Sequence, residues 1–292
     1  MVSRRAVLAA PAALAAQASR MEVCLHQTTV AGSDYVRSLD GCSRAGIRFI
    51  ELIPAMVDAF LARESVAAAR RALSDFGVRA VAGGGGRGVI EPNPERAKAL
   101  DALKARAALY AELGVDRMVC PCLATERYPV QEFARTADRL HEVGEAVKPY
   151  RVVAMIEFTR ASTLIGTLPT ALDVIRRTAH PNVRAMFDFY HFWAGLSKFE
   201  DIELLRPGEL HHVHFQDTPK IPRETYDNTT REVPGDGNAP LASILLALAA
   251  KGYRGPLSVE LFWPRLQKGD PVAVASEIKT KSDAVLRGAN LL

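Results

Sequence analysis

Residues 152–158 read Val152-Val153-Ala154-Met155-Ile156-Glu157-Phe158, a short apolar run with one carboxylate near its end. Such a run is too short for a helix and too apolar for a surface strand, so it reads as a strand covered on both faces. Strands of this kind sit in parallel sheets whose crossover helices bury them. Three later runs repeat the pattern. Arg184-Ala185-Met186-Phe187-Asp188-Phe189 ends on Asp188, His212-Val213-His214-Phe215-Gln216 carries His214, and Leu257-Ser258-Val259-Glu260-Leu261 carries Glu260.

Four earlier segments are strand candidates as well, at 22–28, 47–53, 79–82 and 117–122, which makes eight. Helical patterns rich in Ala, Leu, Arg and Glu separate them, at 65–76, 94–113, 131–150, 169–178, 241–251 and 271–286. Gly46, Gly77, Gly114 and Gly252 stand where these helices should stop, because glycine takes the left-handed C-cap without strain. Regular strand–helix alternation over eight units predicts an α/β fold, a single-domain (β/α)8 TIM barrel spanning 21–292. No Gly-x-Gly-x-x-Gly follows the first strand, which disfavours an open dinucleotide-binding sheet. Gly83–Gly86 lacks the Lys-Ser/Thr of a phosphate loop and reads as a flexible loop near the site.

In a barrel, chemistry sits at the C-terminal ends of the strands. Glu157, Asp188, His214 and Glu260 therefore share one half of the barrel mouth. Three buried carboxylates beside an imidazole repel each other unless a cation neutralises them. Oxygen-rich ligation with one imidazole suits one divalent metal ion, Mn²⁺, Mg²⁺ or Co²⁺, and also admits Zn²⁺. A purely structural charge cluster is the plain alternative. His191, three residues after Asp188, and Arg231, in the turn-rich loop before Pro234-Gly235-Asp236-Gly237, could donate to a substrate oxygen. Their plain alternatives are a capping role and a surface ion pair. His26 on the first strand could face the pocket, and Asp217 could orient His214 or touch the metal. His212 is expected to pack in the core. His141 and His180 are expected on helix or loop surfaces, and His211 facing the helices. Phe192, Trp193 and Trp263 are candidate walls of the pocket.

Composition sets the remaining bounds. A formal net charge of +4 with no dense Lys/Arg run gives little support for nucleic-acid binding. Residues 1–20 combine Ser3-Arg4-Arg5 with an apolar run from Ala6 to Ala16 and a small-x-small site. That pattern predicts an export signal of twin-arginine type, hence a periplasmic or extracellular protein. The alternative is a start at Met21 and a cytoplasmic enzyme. The apolar run is too short for stable membrane insertion. Four cysteines, Cys24, Cys42, Cys120 and Cys122, lack the paired spacing of a zinc site and read as buried free thiols.

These residues resemble the sugar phosphate isomerase/epimerase superfamily, the xylose-isomerase-like barrels. Asp188-Phe189-Tyr190-His191 looks like the family's Asp-x-x-His and His214-Phe215-Gln216-Asp217 like its His-x-x-Asp. Arg231 with Pro234-Gly235-Asp236-Gly237 is similar to its Arg…Pro-Gly-x-Gly loop, and Ser258–Phe262 to its last strand. The inosose isomerase and inosose dehydratase branch is the nearest in pattern. The resemblance implies that Glu157, Asp188, His214 and Glu260 hold the metal, that Glu157 and Glu260 also move protons, and that His191 and Arg231 hold the substrate. It implies a keto-sugar or keto-polyol isomerase or epimerase working through a metal-stabilised enediolate. A dehydratase on a similar keto-polyol or a dehydroshikimate-like substrate is the alternative, and a non-catalytic exported carbohydrate-binding protein is a third reading. The superfamily's abasic-site endonucleases need more histidines than this chain offers, for none occurs between His26 and His141. Whether the chain forms a homo-oligomer is left open by the sequence.

Overall fold

The computed structural model describes residues 21–292. The proposed export segment, 1–20, lies outside them. Eight parallel strands close into a barrel in sequence order: β1 (Glu22–His26), β2 (Phe49–Leu52), β3 (Arg79–Gly83), β4 (Arg117–Pro121), β5 (Val153–Glu157), β6 (Val183–Asp188), β7 (Leu210–His214) and β8 (Pro256–Val259). β1 pairs with β8 to complete the ring. The single-domain TIM barrel expected from the sequence is what the chain forms.

Helices cover the outside: α1 (Tyr35–Ala45), α2 (Pro54–Leu61), α3 (Val66–Asp75), α4 (Arg96–Leu113), α5 (Gln131–Val147), α6 (Leu168–Thr178), α7 (Phe189–Ala194), α8 (Leu241–Ala250), α9 (Pro264–Gln267) and α10 (Pro271–Gly288). The short α2, α7 and α9 carry too few turns to show a sequence period. Side chains of Asp34, Ser65, Thr167 and Asp270 cap α1, α3, α6 and α10 at their N-termini. Gly46, Gly77, Gly114 and Gly252 all have positive φ, as their places after helices require.

Strand alternation produces two separate apolar layers. Met118 and Cys120, Ala154 and Ile156, and Ala185 and Phe187 point outward and pack with the helices. Val119, Met155 and Met186 point inward and, with Ala82, plug the barrel interior. Two residues beyond Met155 is Glu157, and two beyond Met186 is Asp188. Period two therefore carries both carboxylates into the mouth above the apolar plug. His212 and His214 share the same relation on β7. A β-bulge where β6 meets β7 resets the register so that Asp188 lies opposite His214.

All four cysteines are buried and free. Among the described residues no helix is long and apolar enough to cross a membrane. His180 departs from the expected surface position: it is buried, 2.9 Å from Glu145 and edge-on to His141.

Candidate active site

A cavity of about 740 Å³ opens at the C-terminal mouth of the barrel, and His26, Glu51, Glu157, His191, His214, Arg231 and Glu260 are among its lining residues. Its size is that of a small-molecule site. His214 stands at its floor. Its Nδ1 lies 3.4 Å from a Glu157 oxygen, 3.4 Å from Asp188 Oδ2 and 3.5 Å from Glu260 Oε2. The structure thus brings together all four residues that the sequence singled out as ligands. Asp188 and His214 are sealed from solvent, while Glu157 and Glu260 keep slight exposure toward the cavity.

Asp188 divides its two oxygens. Oδ1 accepts the His191 N–H at 2.6 Å and caps α7. Oδ2 faces the site, accepting from Gln216 at 2.7 Å and Arg231 at 3.1 Å. Burial would raise its pKa, but Arg231, His191 and His214 hold the carboxyl well below the usual range. Glu260 is treated alike: against burial, Arg231, His214 and His26 keep it ionised. Burial opposes charge on His214 too, yet Glu51 and Glu260, with the Asp188 and Glu157 carboxyls beside Nδ1, raise it well above an ordinary imidazole. The carboxylate ring therefore attracts positive charge to this point.

Arg231 is buried with its guanidinium 5.0 Å from the ring centres of Tyr190 and Phe262. It donates to Glu260 Oε2 at 2.6 Å as well as to Asp188, so it is no surface ion pair. His191 lies beside it. The Arg160 backbone N–H donates to His191 Nδ1 at 3.2 Å, which leaves the ring proton on Nε2. That Nε2 sits 3.2 Å from Arg231 Nη2. Two donors facing each other share no hydrogen bond, so both are free for an acceptor oxygen in the cavity. Burial, with the Arg231 charge adding to it, pushes the His191 imidazole down and keeps it neutral, although Asp188 pulls the other way.

His26 faces the cavity. The Thr28 N–H donates to its Nδ1 at 3.0 Å, so its proton also rests on Nε2. That Nε2 lies 3.4 Å from Glu51 and 3.5 Å from Glu260. His26, Glu51 and His214 form a second cluster compact enough for a metal. With its lone pair already engaged by Thr28, His26 is a donor there rather than a ligand.

Several sequence expectations are corrected. Asp217 neither orients His214 nor reaches the carboxylate ring. Its oxygens accept backbone N–H groups of Thr218, Gly235, Gly237 and Ala239 at 2.8–3.2 Å and so clamp the loop that follows Arg231. His212 is buried but is not mere packing, for its Nε2 meets Glu51 at 2.7 Å. His211 sits at the opposite, N-terminal end of the barrel with Arg117 and Tyr253. Phe192, Trp193 and Trp263 do not line the cavity. Phe192 packs on Phe187, Trp193 lies under Arg223, Trp263 under Arg265, and Phe262 takes the wall position. Glu51 was missed. Its signal was present, a lone carboxylate in Arg48-Phe49-Ile50-Glu51-Leu52, the same pattern that marked Glu157.

His214 Nδ1 is buried without a hydrogen-bond partner among the described residues, although three carboxylates surround it. One imidazole nitrogen within a ring of three carboxyl groups is a donor set for one divalent cation, so the residues fit a metal. The other compact ligand cluster, Glu157, Asp188 and His214, is this same centre.

Known proteins share this barrel. A family pattern described as xylose isomerase-like TIM barrel matches residues 39–281. An inosose isomerase of Halalkalibacterium halodurans is 26% identical over 283 residues, covering 91% of this chain and 95% of that protein. A 3-dehydroshikimate dehydratase of Pseudomonas aeruginosa is 30% identical over 159 residues, which is 53% of this chain but 24% of that longer protein. Among solved structures, the IolI protein with a bound zinc atom superposes with a TM-score of 0.86 at 23% identity, covering 92% of this chain and 99% of that one. At that identity the likeness speaks for the fold.

Proposed function

Because the chain belongs to the xylose isomerase-like TIM barrel family, we propose that it is a divalent-cation-dependent isomerase or epimerase of a keto-polyol of the inosose type. Its relatives are isomerases and dehydratases, so an enzyme acting on a sugar-like substrate is the common denominator. One observation carries the finer reading: the unpartnered His214 Nδ1 ringed by Glu157, Asp188 and Glu260 at the floor of a cavity large enough for a small-molecule substrate.

Glu157, Asp188, His214 and Glu260 would hold the cation. When bound, the cation supplies Lewis acidity to a carbonyl and its neighbouring hydroxyl, lowering the cost of removing the α-proton. Mn²⁺, Mg²⁺, Co²⁺ and Zn²⁺ all suit this donor set. The chain's own groups do the rest. Glu157 and Glu260 are carboxylates open to the cavity, and Arg231 keeps Glu260 ionised and ready to accept a proton. One removes the α-proton and the other returns it. His191 Nε2–H and the free edge of Arg231 converge on one acceptor oxygen, and His26 Nε2–H offers a third donor on the β1 side. The surrounding Tyr190, Phe262 and the Asp217-clamped loop hold Arg231 in place.

Loss of a β-hydroxyl in place of proton return would make the same residues a dehydratase, and the Pseudomonas aeruginosa relative favours that second reading. The test is to strip the protein of metal, add back each cation with a panel of keto-polyols in D₂O, and follow the α-carbon. Deuterium uptake without dehydration supports isomerisation or epimerisation, while enone absorbance supports dehydration. Metal binding with no exchange on any keto-substrate refutes the proton-transfer reading, and retained sugar affinity in Glu260→Gln would then point to a binding protein. Segment 1–20 is proposed as an export signal. N-terminal sequencing of the protein from its native host, finding residues 1–20 retained, would refute that.

A further inference from the structure

At the centre of the barrel, beneath the carboxylate ring, Glu51 on β2 is completely buried and meets three imidazoles. His212 Nε2 lies 2.7 Å from Oε2, His214 Nε2 3.2 Å from both oxygens, and His26 Nε2 3.4 Å from Oε1. Three strands, β1, β2 and β7, contribute to this cluster. His26, Glu51 and His214 line the cavity, and His212 does not.

An ionised carboxylate has lone pairs and no proton, so each imidazole nitrogen facing it must be an N–H. The rest of the cluster agrees. Thr28 N–H occupies His26 Nδ1, which places that ring's proton on Nε2. His212 Nδ1 is buried without a partner, so its engaged nitrogen is Nε2 alone. For His214 the consequence is functional. With Nε2–H committed to Glu51, Nδ1 is the nitrogen left to give its lone pair to a cation in place of a proton, and it faces Glu157, Asp188 and Glu260.

We infer that Glu51 is a positioning residue that holds His212 and His214 in the Nε2–H form, as Thr28 holds His26, and thereby leaves His214 Nδ1 as the nitrogen aimed at the cation centre. The inference rests on the proposed cation site and deepens it. Carboxylates that orient a ligating imidazole in this way change metal affinity about 10–100-fold when removed. Here one carboxylate serves a ligand, His214, a cavity-facing donor, His26, and a buried anchor, His212. The anchor explains the buried histidine: His212 holds the carboxylate from below with the shortest bond of the three, and so sets its height relative to His214.

Glu51→Gln tests this. A carboxamide has one acceptor oxygen, and its NH₂ opposes any Nε2–H placed on that side. At least one imidazole must then turn or move its proton to Nδ1. Two readouts apply to the full chain: Zn²⁺ affinity by competition with a chelator, and imidazole tautomers by two-bond proton–nitrogen correlation with ¹⁵N-histidine labelling. The wild type loaded with Zn²⁺ should show His26, His212 and His214 all as Nε2–H. Glu51→Gln should bind Zn²⁺ about 10–100-fold more weakly and show an Nδ1–H imidazole. A purely structural Glu51 would lower the melting temperature but leave affinity within twofold and all three tautomers unchanged, and that result overturns the inference. If Glu51→Gln does not fold, the wild-type tautomers still decide it, and an Nδ1–H proton on any of the three refutes it. A wild type that fails to bind Zn²⁺, Mn²⁺ or Co²⁺ refutes the cation site itself, while the His212 tautomer continues to report on Glu51.

Discussion

Replacing Asp217 by asparagine changes almost no volume but removes half of a four-bond clamp. Oδ1 accepts Thr218 N at 2.8 Å and Ala239 N at 2.9 Å, and Oδ2 accepts Gly237 N at 3.0 Å and Gly235 N at 3.2 Å. Asparagine keeps one acceptor oxygen, so either orientation turns its NH₂ toward two backbone N–H donors. Each lost hydrogen bond to a charged group costs about 1.5–3 kcal/mol. Gly235 is exposed and water can recover part of that loss. The expected destabilisation is about 2–4 kcal/mol, or roughly 4–7 °C in Tm for a domain of this size. Urea unfolding followed by circular dichroism, with an unchanged m-value, measures it. The backbone of Asp217 also pairs with Glu232, the neighbour of Arg231, at 2.9 Å in both directions. Loosening this loop should raise KM for a keto-polyol while leaving Mn²⁺ affinity within twofold. Stability within about 0.5 kcal/mol of wild type would refute the clamp, a threshold set by ordinary surface substitutions. A tenfold or greater loss of Mn²⁺ affinity would instead mean that Asp217 serves the cation.

Other outcomes follow from the same coordinates. A Cβ on Gly86 would stand 2.2 Å from Cys120 Sγ and 2.9 Å from the Val119 carbonyl. Gly86→Ala should therefore destabilise by about 1–3 kcal/mol, with Cys120→Ala recovering part of the loss in a double-mutant cycle. Full additivity of the two changes would refute the contact. Burial, reinforced by Arg117 and Arg184, pushes His211 down to about 4. The unfolded chain takes up that proton near pH 6.5 while the folded chain refuses it until about 4, so stability falls as pH drops through this window. After allowance for partial exposure the loss is about 1–3 kcal/mol, and His211→Asn should flatten it in urea melts at pH 7 and 4.5. All four cysteines are buried and free, and burial raises Cys42 and Cys120 above an ordinary thiol. A thiol reagent should accordingly find almost none in the native protein and four after unfolding under non-reducing conditions. Fewer than four would reveal a disulfide.

Eight apolar runs separated by helical patterns specified the barrel without help, because each strand buries both faces and each helix one stripe, and those periods are local. The same local rule located Glu157, Asp188, His214 and Glu260: an ionisable side chain in an apolar run stands out before any contact is known. Partnership between distant residues was not legible in this way. Glu51 carried the same mark as Glu157, yet only closure of the ring, 161 residues along the chain from His212, reveals why a carboxylate is buried there. Asp217 sits three residues from His214 and still serves another loop, because the chain turns away at the end of β7 and its carboxylate meets N–H groups of the segment 235–239. The proton positions of His26 and His191 depend on single backbone N–H groups of Thr28 and Arg160, one local and one from a neighbouring strand end. Periodicity, a property of consecutive residues, is written in the sequence. Hydrogen-bond direction and charge neighbourhood are properties of folded distances, and only the tertiary structure decides them.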